Sequence, residues 1–148
     1  MPSEPLIDRV ERLLAPFLAG HGFTVAVGDD QANPFGAWVR LESDEFVIGV
    51  VRDRGQEWIT VTSKVRTDPR APRQGWPLGH IVAYLDGAPD PYPVRGLDVE
   101  AEWLTRSSRQ ILDPALLNSE GFRRWAVAAS RRLFNRNLKA PRPRPPSP

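Results

Sequence analysis

Residues 37–63 read AWVRLESDEFVIGVVRDRGQEWITVTS and decide the fold. Apolar and polar side chains alternate at both ends of this stretch, over 37–42 and 57–63, which is the period of a strand with one face turned to a core. The segment between them, 46–51, is almost continuously apolar, which predicts a central strand that is covered on both faces or partly covered on one. Turn-forming residues separate the three segments, so we expect three antiparallel strands joined by hairpins.

The pattern extends toward the N-terminus. Residues 23–27 alternate in the same way and predict one more strand, which makes a four-stranded antiparallel meander. Before it, residues 4–19 carry apolar side chains at near-helical spacing, which predicts an N-terminal helix. Pro16 is expected to kink or shorten its last turn, and Gly20 or Gly22 to end it.

Three helices are expected after the meander. The first spans 77–85 and the second 98–112. The third begins at Asp113-Pro114 or at Ser119, both of which are good helix starts. Its apolar face would bury Phe122, Trp125, Ala129 and Leu133. The predicted fold class is therefore α+β: an N-terminal helix, a four-stranded antiparallel meander and three C-terminal helices.

The end of the chain differs in composition from the rest. From Ala140 onward, five of nine residues are proline, interleaved with Arg142 and Arg144. Such a segment favours a disordered, polyproline-like conformation. We therefore expect one α+β domain over residues 1–139 and a disordered Pro/Arg-rich tail over 140–148.

Composition excludes several classes of protein. The absence of cysteine rules out disulfides, thiolate metal sites and a cysteine nucleophile. No apolar run is long enough for a signal peptide or a membrane span, so we expect a soluble, cytoplasmic protein without a membrane partner. Eight basic residues and no acid follow Glu120, whereas residues 1–120 carry 12 basic and 18 acidic side chains. The folded body is therefore expected to be acidic and poorly suited to hold a nucleic-acid groove.

The sequence carries no recognisable catalytic motif. No serine lies in a Gly-x-Ser-x-Gly elbow, and no glycine-rich phosphate loop is present. His21 and His80 are isolated, while metal sites draw three or four ligands. The carboxylates cluster at turns and helix starts, where acids are favoured for structural reasons. We therefore expect a non-enzymatic protein with no catalytic residues, no cofactor and no metal.

The five tryptophans are compatible with two interpretations, burial in the core or exposure on a recognition surface. Most are expected in the core, because tryptophan is highly buried on average. Trp38 and Trp58 alternate with apolar neighbours, so the sheet has two covered faces or uses one of them as a recognition surface, where Trp and Arg are favoured anchors. Trp76, in a Gly75-Trp76-Pro77 loop edge, is the tryptophan expected to be exposed.

Four short motifs resemble those of small uncharacterised bacterial proteins, some of which are similar to immunity proteins of contact-dependent or polymorphic toxin systems. The resemblance covers roughly residues 6–86 and implies no catalytic residue. Its motifs are Phe35-Gly36-Ala37, Val39–Ser43, Val50–Gln56 and Ile81–Leu85.

The resemblance and the acidic body predict a protein-binding module, specifically an immunity protein that covers the active site of a basic toxin. The candidate contacts lie at the hairpin tips, with a tryptophan beside them if the loops converge: Glu42, Asp44, Glu45, Asp53, Arg54 and Trp76. The alternative is a nucleic-acid-associated or regulatory factor that acts through the basic C-terminal helix and tail. Nonspecific nucleic-acid binding through the tail is expected in either case.

Overall fold

A computed structural model describes the backbone of residues 4–29 and 36–139 and the side chains of residues 4–26 and 36–136. The tail over 140–148 lies outside the described residues. The elements are α1 (Leu6–His21), β1 (Thr24–Asp29), β2 (Gly36–Glu42), β3 (Phe46–Asp53), β4 (Gln56–Ser63), β5 (Trp76–Pro77), α2 (Leu78–Leu85), α3 (Leu97–Arg106), α4 (Ser108–Ile111), α5 (Pro114–Leu117) and α6 (Glu120–Lys139).

The strands form one antiparallel sheet in the order β1-β2-β3-β4-β5. This confirms the α+β class and the meander, with one strand more than expected. The additional strand, β5, pairs Pro77 with Thr60 and Trp76 with Val61. With two residues it is too short to show the alternation by which strands are recognised in sequence.

α1 does not stop at its proline. The helix continues past Pro16 to His21, and Gly22 ends it in the left-handed conformation with φ of 70°. The expectation that Pro16 would shorten the helix is therefore wrong. Pro16 lies on the solvent side, where water can satisfy the carbonyl that lost its helical partner.

Both predicted starts of the last helical region are used. The Asp113 side chain accepts a hydrogen bond from the backbone N–H of Ala115 over 2.9 Å and caps the short α5. The Ser119 hydroxyl accepts one from the N–H of Phe122 over 3.1 Å at the start of α6. The helix expected over 98–112 is likewise divided at Ser107 into α3 and α4.

One core cluster unites the sheet with the helices. Among the α6 side chains that the structure describes, Phe122, Ala126 and Ala129 are buried, whereas Trp125 and Leu133 are half-buried. The helix is therefore rotated slightly from the predicted phase. No helix in the described part of the chain is long and apolar enough to cross a membrane.

Candidate protein-binding surface

The sheet has one covered and one open face. Alternate side chains of β2, β3 and β4 are buried in the core, and those between them are half-buried or exposed. No described helix packs on that second face. The sequence left open whether one or both faces of the sheet are covered. In the described residues only one face is covered.

An aromatic row crosses the open face. Trp38, Val51 and Trp58 are direct partners on β2, β3 and β4, and side chains at such positions contact one another across the strands. Trp38 is 39% exposed, whereas Val51 and Trp58 are half-buried. The row therefore carries two indoles, one on each side of Val51, and that of Trp38 is the more exposed.

Next to the aromatic row lies a flatter row of Arg40, Gly49 and Thr60. A β-carbon at Gly49 would lie 2.6 Å from the hydroxyl oxygen of Thr60. Glycine at this position therefore leaves room for the Thr60 side chain on the neighbouring strand. Arg40 pairs with Glu42 over 2.6 Å, and Lys64 approaches the same carboxylate at 3.8 Å. These three side chains give this side of the face a net charge of +1.

The predicted acids at the β2–β3 turn behave differently from one another. Glu42 is held by its two basic neighbours. Asp44 and Glu45 are exposed and form no ion pair with a described residue. They line an open cleft of about 490 Å³ that Arg109 on α4 also borders. Two uncompensated negative charges thus stand at this end of the sheet.

The two hairpin turns that were predicted to carry the contact residues lie far apart. Asp53 and Arg54 belong to the β3–β4 turn, where Arg54 and Gly55 both have positive φ, at 52° and 78°. Consecutive turns of a meander lie at opposite ends of its strands, and β3 has eight residues. At about 3.3 Å per residue the two turns are roughly 25 Å apart. Residues 42–45 and 53–54 therefore cannot form one compact site.

Trp76 is buried, with 8% of its surface exposed, so the expectation that it would be the exposed tryptophan is wrong. Its indole N–H donates to the carbonyl of Leu117 over 3.2 Å, and its ring meets Phe122 edge-on at 4.8 Å. The pairing with Val61 in β5 turns it toward the core, where a large ring gains most from burial.

The two histidines lie apart and in different surroundings. Nδ1 of His80 is buried without a hydrogen-bond partner, and burial lowers the pKa of this imidazole. His21 is exposed and stacks against Phe17 at 4.6 Å. Within residues 4–26 and 36–136, no group of three or more metal-ligating side chains is suited to hold a metal ion.

The basic residues of α6 are largely engaged. Arg123 pairs with Asp68 over 2.7 Å and Arg124 with Glu120 over 2.7 Å. Arg132 and Arg136 both approach Asp90, at 3.5 and 3.8 Å. These pairs reduce the positive charge that α6 offers to a nucleic-acid backbone.

A half-buried ion-pair network joins α1 to the sheet and has no signature in the sequence. Glu57 on β4 accepts hydrogen bonds from Arg9 over 2.8 Å and from Arg52 over 2.9 and 3.1 Å. Arg52 also donates to the backbone carbonyl of Glu4 over 2.8 Å. The network ties α1 to the sheet, and no local pattern reveals it because its members are up to 48 residues apart.

Comparisons with protein-family models, curated proteins and solved structures returned no significant match.

Proposed function

We propose that this protein is a non-enzymatic protein-binding module that docks a basic protein on the open face of its sheet. The observation that carries the proposal is the aromatic row, in which the exposed Trp38 lies beside Val51 and Trp58 lies on the other side of Val51. Tryptophan is a preferred interface anchor because it buries a large area at little cost in side-chain entropy.

Charge indicates the chemistry of the partner. Asp44 and Glu45 at one end of the sheet and Asp53 at the other form no ion pair with described residues, and residues 1–120 carry six more acids than bases. A basic partner would be attracted to the β2–β3 end of the face, whereas Asp53 at the other end is offset by the exposed Arg54 beside it. Its Lys or Arg side chains could also stack on the indole of Trp38 by cation–π attraction.

The size of the face sets a further requirement. Eight residues along a strand and three adjacent strands give roughly 25 by 15 Å, or about 400 Å². A stable interface buries about 800 Å² on each partner. The interface must therefore extend beyond the face to its rim. The β2–β3 turn is an adjacent part of the rim, and its Asp44 and Glu45 carry unpaired negative charge.

Neutralisation of a toxin is the specific form of this function that we propose, on the basis of the resemblance in residues 6–86. An acidic module that covers the active site of a basic toxin would need a rigid surface and no catalytic group of its own. The sheet provides such a surface, because its other face is anchored to the core.

The test compares Trp38→Ala with Leu85→Ala, since Trp38 and Leu85 are equally exposed, at 39% and 38%. A partner is captured with the full chain, purified, and titrated with both variants by calorimetry. Trp38→Ala should weaken binding at least tenfold, about 1.4 kcal/mol, at an unchanged melting temperature, and Leu85→Ala should bind like the wild type. Wild-type affinity for Trp38→Ala, or an acidic partner, would refute the proposal.

The toxin hypothesis has its own experiment. The captured partner is expressed in cells with the wild-type protein or with Trp38→Ala. Growth should be restored by the wild type alone if the partner is a toxin. Binding without any effect on growth would be consistent with a protein-binding module but would refute the immunity function.

A further inference from the structure

A second surface lies on α6, on the opposite side of the sheet from the aromatic row. Phe134 is 63% exposed, the largest value among the large apolar side chains that the structure describes, and Val127 is 41% exposed. They are seven residues apart, which is two helical turns or about 10.5 Å. Together they form an apolar stripe that continues along the helix beside its buried face.

The stripe borders a shallow, open groove of about 310 Å³. Its lining residues are Trp76, Ala126, Val127, Ser130, Arg131 and Phe134. The floor is rigid, because Trp76 is fixed by its hydrogen bond to Leu117 and Ala126 is buried. Phe134 forms a projecting wall.

The charge that lines the groove is that of one arginine. Arg131 lines it and forms no ion pair with a described residue, while Arg132 and Arg136 turn toward Asp90. No acidic residue follows Glu120 in the chain. A second copy of α6 packed antiparallel here would bring like charges together, which is unfavourable.

We infer that this groove binds an amphipathic helix of a protein partner, with acidic residues flanking its apolar face. A helix laid in a groove presents anchors at positions i, i+3 or i+4, and i+7. That repeat matches the two-turn spacing of Val127 and Phe134. Acidic residues beside the apolar face of the partner helix would pair with Arg131. This pairing would favour acidic helices over other amphipathic helices, a preference that apolar contacts alone would not produce.

This partner is distinct from the basic protein proposed for the sheet. Trp76 faces the helical layer and Trp38 the open face, so the two surfaces are separated by the sheet itself. The two inferences can therefore fail independently. Occupation of the groove should leave binding at the aromatic row unchanged.

The test uses two synthetic 18-residue helical peptides with leucines at the anchor spacing, one flanked by glutamates and the other by lysines. Binding to the full chain is measured by fluorescence anisotropy. The glutamate peptide should bind saturably and the lysine peptide should not. Phe134→Ser and Arg131→Glu should each weaken binding of the glutamate peptide at least tenfold.

Matched controls separate the groove from general effects. Val99→Ser removes a 36% exposed valine on α3, and Arg109→Glu makes the same charge change on α4; both should bind the glutamate peptide normally. Equal binding of the two peptides, or unchanged binding by Phe134→Ser, would overturn the inference. So would a wild-type dimer in sedimentation that Phe134→Ser dissociates, because the occupant would then be a second copy.

Discussion

Oε1 of Glu100 on α3 accepts a hydrogen bond from the backbone N–H of Ile59 on β4 over 2.9 Å. The second oxygen accepts one from the N–H of Arg95 over 3.3 Å. β5 pairs with residues 60 and 61 but not with Ile59, so the carboxylate satisfies a strand N–H that β5 does not reach. Glu100 is 2% exposed, and the loss of water raises its pKa although both N–H groups oppose the shift.

Removal of this side chain should destabilise the protein. Glu100→Ala leaves the buried N–H of Ile59 without its partner, worth about 1–3 kcal/mol, and removes the part-buried hydrogen bond from Arg95, so we expect the free energy of unfolding to fall by roughly 2–4 kcal/mol. Urea denaturation measures the change. Glu102→Ala on the same helix is the control, since Glu102 is exposed and its loss should cost little. Equal effects of the two variants would contradict the structural role of Glu100.

The raised pKa of Glu100 predicts a particular pH dependence. The folded protein keeps this proton to a higher pH than the unfolded chain, in which the carboxyl ionises near 4.5. The contribution of Glu100 to the free energy of unfolding should therefore fall as the pH rises from about 4.5 through the folded value, and then stay constant. Glu100→Gln should lack this fall. Urea titrations at several pH values give the free energy of unfolding as a function of pH for both proteins. Parallel curves for wild type and Glu100→Gln would refute the predicted role of Glu100.

Two aromatic residues of α6 should differ in their importance for stability. Phe122 is fully buried and contacts Trp76 and Tyr84 at 4.8 and 5.0 Å between ring centroids, so Phe122→Ala should cost about 3–5 kcal/mol. Trp125, which the sequence pattern placed in the core, is half-buried. Trp125→Ala should cost less, about 1–3 kcal/mol. Urea unfolding measures the loss of free energy of unfolding in both variants. A larger loss for Trp125→Ala than for Phe122→Ala would show that α6 is rotated so that Trp125, and not Phe122, faces the core.

The free acids of the β2–β3 turn should govern the rate of association with the basic partner. Exposed charges act over about 8 Å at physiological ionic strength but contribute little after docking. Charge reversal with Asp44→Lys and Glu45→Lys should slow binding in stopped-flow experiments, most at low salt. Glu42→Lys is a poorer probe, because it also breaks the pairs with Arg40 and Lys64.

The control for that experiment is Asp8→Lys with Glu11→Lys, a double reversal at exposed acids of α1 that form no ion pair with described residues. It changes the net charge equally but lies on the helical side. If both double variants associate at the same rate, net charge rather than the turn attracts the partner.

Deletion of residues 140–148 should leave the melting temperature within a few degrees of the wild type. The segment contains no large apolar side chain, and its five prolines cannot donate backbone hydrogen bonds. Differential scanning calorimetry of the truncated protein checks the expectation. A larger fall would show that the segment is docked on the domain.

The sequence by itself determined the class of the fold. The alternation around Trp38 and Trp58, the turn at Arg54-Gly55 and the two helix starts at Asp113 and Ser119 all depend on neighbours within a few residues. Period, cap and turn preference are local properties, so they can be read from the chain before it folds. The same locality explains why the sequence assigned the side chains of β2 and β4 to two faces correctly, although it left open whether one or both faces are covered.

Tertiary structure alone decided which surface is available. Trp76 is buried because α5 and α6 close over it, and the two acidic turns stand apart because a meander sends consecutive turns to opposite ends of the sheet. Glu57 and Glu100 likewise meet their partners across 41 to 48 residues. Burial and charge pairing depend on which elements pack together, and no sequence period carries that information.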